Sequence, residues 1–171
     1  ERKTEGIFNN LTAASNIALP RLSAATRAGF LTARRERGAA AGAAGRVALS
    51  PRYLGFLVGN LSGGNQQKVL LARALMTGAK RLVLFDPARG VDVGTKQSIY
   101  AMMRSFAADG GAILFYSSEL SELVHLCTRC LVVYDGRIVA DVPHAELTEE
   151  RLLAAAHGPQ GAAERPERRA V

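Results

Sequence analysis

The stretch Leu61-Ser-Gly-Gly-Asn-Gln-Gln-Lys-Val-Leu-Leu-Ala-Arg-Ala-Leu-Met76, with the run Arg81-Leu-Val-Leu-Phe85 behind it, decides the reading of this chain. Ser62 stands before two glycines, and Val69, Leu70, Ala72, Leu75 and Met76 then recur at helical spacing. That pattern is a serine-capped helix over Gln66 to Met76, its N-terminus set on a Gly-rich turn. A hydroxyl, unobstructed backbone N–H groups and the positive end of a helix dipole converge there, a combination that binds phosphate. A plain N-cap and tight turn would use the same residues. The run 81–85 is short and apolar, and it ends at Asp86-Pro87, which suits a buried parallel strand.

Working outward, Thr95 to Ala108 reads as a helix with Ile99, Met102, Met103 and Phe106 on one face, stopped by Asp109-Gly-Gly111. Ala112 to Tyr116 is a second buried strand, and Ser118 to Leu126 a short helix. Cys130–Tyr134 and Arg137–Ala140 form a hairpin turning on Asp135-Gly136. Strand, helix, strand, helix and hairpin make an α/β order with a mainly parallel sheet. Before it, Ala33 to Gly45 reads as a weak helix breaking into a flexible turn. Phe8, Tyr53 and Phe56 are expected to pack inside that first third. Residues 158–171 have little to bury and are expected to be disordered.

The chain has 171 residues, 48% hydrophobic and 22% charged, which argues against wholesale disorder. No apolar run reaches the roughly 20 residues of a spanning helix, and no secretion signal is visible. The formal charge is +7, and residues 1–60 hold nine Lys/Arg against three acids. With few aromatics interleaved, this reads as an Arg-rich solvated surface rather than a nucleic-acid platform, so nucleic acid is not an expected partner. Cys127 and Cys130 suit a reducing compartment and apolar packing, because one Cys-x-x-Cys with a lone His125 nearby leaves a zinc site a ligand short. No metal ligands are assigned.

Leu61-Ser-Gly-Gly-Asn-Gln-Gln-Lys68 and Arg89-Gly-Val-Asp-Val-Gly94 together resemble the signature motif and D-loop of ATP-binding-cassette (ABC) ATPases. The wording is most similar to the second, C-terminal cassette of duplicated sugar-import ATPases of the ribose, galactose and xylose type. Glu1-Arg2-Lys3 through Gly6 resembles the segment that follows that cassette's Q-loop. The resemblance implies a P-loop NTPase core with a helical subdomain, in an α/β fold whose Walker A segment is absent from this chain. It implies a partial ABC domain over 1–142, with the helical subdomain and signature motif mainly in 1–78 and the α/β core in 79–142. A C-terminal helix over 143–157 and the tail 158–171 follow. A chain without an initiating Met is read as starting inside a longer one.

The resemblance assigns Ser62, Gly63, Gly64 and Gln66 to the phosphate of ATP held by a partner cassette, with Asp92 coupling the two sites. ATP and Mg2+ are the implied cofactors of the intact assembly. A second cassette and membrane permease subunits are the implied partners, with a solute-binding protein acting indirectly, at the cytoplasmic face of the membrane. Position 85, however, is Phe where the family places a magnesium-holding Asp, and a phenyl ring offers no oxygen to a hard cation. Asp86 occupies the position of the catalytic Glu, one methylene short, and Ser118 the position of the switch histidine. This chain's own nucleotide pocket therefore reads as degenerate. A non-transport ABC-type ATPase acting in translation or DNA repair, and a non-catalytic remnant, are the alternative readings.

Overall fold

A computed structural model describes residues 6–25 and 32–158, which belong to two compact units, Glu1–Tyr116 and Ser117–Val171. Residues 1–5, 26–31 and the tail 159–171 lie outside the described residues, so the resemblance of the opening residues and the expected tail disorder are not addressed by it.

The first unit begins with helices. α1 (Ala13–Ala18) is capped by Thr12, whose Oγ1 accepts from the Ser15 N–H at 3.1 Å. α2 (Leu22–Ala25) is a single turn, and α3 spans Ala33–Arg46. The expected break inside α3 does not occur. Ala40, Ala43 and Ala44 form a buried stripe on a helix that packs against α1, while Gly38, Gly42 and Gly45 lie on its exposed side. Interior glycines cost about 1 kcal/mol each in a helix, and here a cap at Thr32 and tertiary burial of alanine outweigh that cost.

Two 3-10 turns, Pro51–Gly55 and Val58–Asn60, lead into α4 (Gly63–Met76). Phe8 and Phe56 depart from expectation, since both rings are exposed. Phe56 instead meets Tyr53 edge to face at 5.8 Å, and the Arg73 guanidinium lies 6.0 Å from the centre of the Phe8 ring. The segment around Phe8 is held by backbone rather than by its ring. Asn16 is fully buried, accepts from the Phe8 N–H at 3.0 Å and donates to the Phe8 and Thr12 carbonyls at 2.9 and 3.1 Å. A buried amide with its partners supplied in this way pins a loop rather than costing stability.

β1 (Arg81–Phe85) and β2 (Ala112–Tyr116) pair in parallel, Arg81 opposite Ala112 and Phe85 opposite Tyr116, with α5 (Val93–Ala108) between them in sequence. α5 buries Ile99, Met102, Met103 and Phe106, as its periodicity predicts. The strands are buried on one face only. Leu82 and Leu84 point inward, whereas Val83, Phe85, Leu114 and Tyr116 line an exposed face. Both strands are apolar nearly throughout, the pattern of strands covered on two sides.

In the second unit, α6 (Leu120–Leu126) precedes the hairpin β3 (Arg129–Tyr134) and β4 (Arg137–Pro143). Asp135 (φ 47°) and Gly136 (φ 74°) are both left-handed, the two-residue turn that matches strand twist. The helix expected over 143–157 is confined to α7 (Glu149–Ala156), because Pro143 ends β4 and Thr148 caps the helix where it starts. Val132, Val142, Leu147 and Leu152 form this unit's core.

Candidate functional site

Ser62 caps α4 and is exposed. Its Oγ accepts from the Asn65 side-chain amide at 3.1 Å and, at 3.4 Å, from the Asn65 backbone N–H. Gly63 and Gly64 form the first two helical positions, so their N–H groups point out of the helix end, where no intrahelical partner exists. This is the geometry of an anion cradle, reached because a serine cap is followed by two residues without side chains.

Gln66 departs from its expected role. It is buried, and its Nε2 donates to the carbonyls of Val58 and Leu61, both at 3.2 Å. Its donors are spent inside the protein, where they fix the turn leading into Ser62. That turn is tied in turn to the loop held by Asn16, through the Val58 N–H to the Leu11 carbonyl at 3.0 Å and the Gly59 N–H to the Asn9 carbonyl at 3.1 Å. Sequence reasoning missed Asn16 as a support of the site. Its only signal was a polar residue at a core position of α1.

Asp92 caps α5. One carboxylate oxygen accepts from the Thr95 N–H at 2.9 Å and the other from the Thr95 hydroxyl at 2.8 Å. These bonds, the backbone one foremost, hold the Asp92 carboxyl below its ordinary range. Gly64 brings the two helix starts together, since a Cβ on it would lie 2.5 Å from Thr95 Oγ1 and 3.2 Å from Asp92 Oδ2.

Phe85 is 77% exposed and stacks on Tyr116 with ring centres 4.6 Å apart. Asp86 adopts a left-handed backbone (φ 45°), and its nearly buried carboxylate faces Arg89 at 3.7 Å. The end of β1 therefore presents a ring and an ion-paired carboxylate, which do not fit a magnesium ion. Among the described residues no group of three or more His, Cys, Asp or Glu is placed to hold a metal. Ser118 is exposed in the second unit, while its neighbour Ser117 is buried and donates to Glu122 at 2.7 Å.

Cys127 and Cys130 pack against the second unit's core. Burial foremost, with Cys130 adding to it, pushes the Cys127 thiol up to about 11, so it is protonated and a poor nucleophile at neutral pH. The folded chain thus holds this proton at pH values where the unfolded chain, near 9.0, has released it. The stability is intact below pH 9 and falls as pH rises from 9.0 towards 11. Melting temperatures measured across that window decline, and Cys127→Ala shrinks the decline; an unchanged slope in the variant would refute this assignment.

No protein-family model matches the chain. It is 39% identical over 158 residues, 92% of its length, to Ribose import ATP-binding protein RbsA 2 of Streptomyces avermitilis. It is 41% identical over 156 residues to RbsA 1 of Mesorhizobium japonicum, and 42% over 158 residues to RbsA 2 of Rhizobium meliloti. The chain spans 31%, 30% and 31% of the lengths of these relatives. Among solved structures, it superposes on a dimeric ATP-binding cassette bound to ADP and phosphate with a TM-score of 0.68 at 22% identity, covering 81% of this chain and 59% of the other. A nucleotide-free cassette from an ABC transporter gives 0.69 at 22% identity, over 85% of this chain and 60% of that one. The chain therefore has the fold of ATP-binding cassettes, and over nearly its whole length it is similar in sequence to part of these ribose-import ATP-binding proteins.

Proposed function

We propose that this segment works as part of the C-terminal cassette of a sugar-import ATPase, presenting its α4 N-terminus to ATP held by a partner cassette. The observation that carries the reading is the cradle of exposed Ser62, half-buried Gly63 and buried Gly64 at the α4 N-terminus, backed by Gln66 and by the Asp92 cap. Ser62, Gly63 and Gly64 touch the phosphates through the hydroxyl and backbone N–H groups, and Gln66 acts as a positioning residue. Asp92 couples the two sites. The partner cassette supplies the phosphate-gripping loop and the magnesium, while Phe85, Asp86 and Ser118 leave this chain's own pocket without efficient hydrolysis. Residues 1–78 then serve as the helical subdomain and 79–142 as the core, with the apolar face of Val83, Phe85, Leu114 and Tyr116 covered by the remainder of the cassette.

Coupling to membrane permease subunits, peripheral placement at the cytoplasmic face and indirect service of a solute-binding protein complete the reading. Its support is the ribose-import names of the relatives. No helix of the described residues is long and apolar enough to cross a membrane, which fits a peripheral subunit. Hydrogen exchange in the full-length protein tests the phosphate contact. A non-hydrolysable ATP analogue slows exchange of the Gly63 and Gly64 amides, and unchanged exchange with analogue demonstrably bound overturns the proposal.

A further inference from the structure

The tightest approach at the start of α4 involves Thr95, a residue to which nothing in the motif reading gives a role. Thr95 is 7% exposed, and its γ-oxygen and γ-methyl would lie 2.5 and 3.1 Å from a Cβ on Gly64. The same residue occupies both oxygens of Asp92, with its N–H on one at 2.9 Å and its hydroxyl on the other at 2.8 Å. Asp92 is exposed and its carboxylate can still accept from solvent, but each oxygen is held by Thr95, so rotating the carboxylate breaks at least one of these bonds. An O–H donated to a carboxylate is among the stronger hydrogen bonds, and a β-branched side chain has few rotamers to yield.

We infer that Thr95 is a positioning residue for the composite ATP site, its hydroxyl locking the Asp92 carboxylate while its γ-atoms seat against Gly64, so that the two helix N-termini move as one. This rests on the proposed composite site. A residue that merely filled space beside Gly64 would be replaced by valine without loss, since valine keeps the shape and deletes only the donor. A residue that acts through its hydroxyl would be replaced by serine instead. The order of those two variants separates the roles.

The test is ATP turnover by the full-length, membrane-assembled ATPase carrying Thr95→Val, Thr95→Ser or Ser62→Arg. Thr95→Val is expected to lower kcat by about tenfold with KM for ATP within about twofold, because nucleotide is gripped elsewhere and only closure suffers. Thr95→Ser is expected to regain most of the parent kcat. Thr95→Ala, which also lacks the donor and cannot overpack, repeats the valine arm if valine melts early. Valine or alanine turning over as fast as serine overturns the inference. Loss of turnover with Ser62→Arg beside parent-like Thr95→Val overturns this inference alone. Parent-like turnover with Ser62→Arg overturns the composite-site reading and this inference with it.

Discussion

Ser62→Arg in the full-length ATPase is expected to abolish ATP turnover, lowering kcat by at least about a hundredfold, or about 3 kcal/mol of barrier. The substitution acts where the proposed phosphate contact is made. Ser62 is exposed and its neighbours Gly63 and Gly64 carry no side chains, so a large side chain at position 62 is the only one of the three that would crowd the helix start. An arginine there crowds that start and removes the cap oxygen that accepts from Asn65. Cap loss alone costs about 1 kcal/mol of stability, which separates the two effects. Ser62→Ala loses the cap without crowding the helix start, and it is expected to retain far more activity than the arginine variant. Steady-state turnover and a melt on the same preparations check this. Turnover within about twofold of the parent, in a folded Ser62→Arg protein, sinks the composite site.

Silencing the partner's site in this way exposes this chain's own pocket to measurement. Adding Phe85→Asp with Asp86→Glu in the Ser62→Arg background is expected to raise magnesium-dependent turnover by about a hundredfold over that background. The Phe85 ring lies on the sheet face that the remainder of the cassette is proposed to cover, so in the full-length protein its replacement forfeits that burial as well as the Tyr116 stack, and a melt on the same preparation reads the loss. An aspartate there supplies the oxygen ligand that the ring denies. The longer carboxylate introduced by Asp86→Glu extends past the Arg89 contact that Asp86 makes at 3.7 Å. Glutamate tolerates the left-handed backbone at position 86 slightly less well than aspartate, which places a small stability loss on the variant. Comparing turnover with magnesium and with chelator isolates the effect. If turnover stays at background, Phe85 and Asp86 are not what silences this pocket, and Ser118→His becomes the variant to compare.

The α/β order, the capped α4, the parallel pair and the Asp135-Gly136 hairpin were legible in the residues because each rests on local signals. These are a serine before a helical period, apolar runs of strand length, and a turn pair that prefers left-handed backbone. The motif wording added the resemblance to ATP-binding cassettes. Local rules misjudged α3, where three exposed glycines suggested a break. They also misjudged Phe8 and Phe56, where aromatic character suggested a core. Helix continuity and ring burial depend on what packs from elsewhere, and a window of sequence does not contain that partner.

What the sequence by itself determined was where the serine-capped, glycine-led turn of α4 lies and that Phe, Asp and Ser stand at positions 85, 86 and 118, because residue type and spacing are read directly along the chain. Only the tertiary structure decided that Gln66 faces inward, that Asn16 holds the loop behind the turn, and that Thr95 binds both oxygens of Asp92 against Gly64. Gly64 and Thr95 lie on different helices. Their contact follows from two helix starts meeting in space, which residue spacing along one chain does not encode.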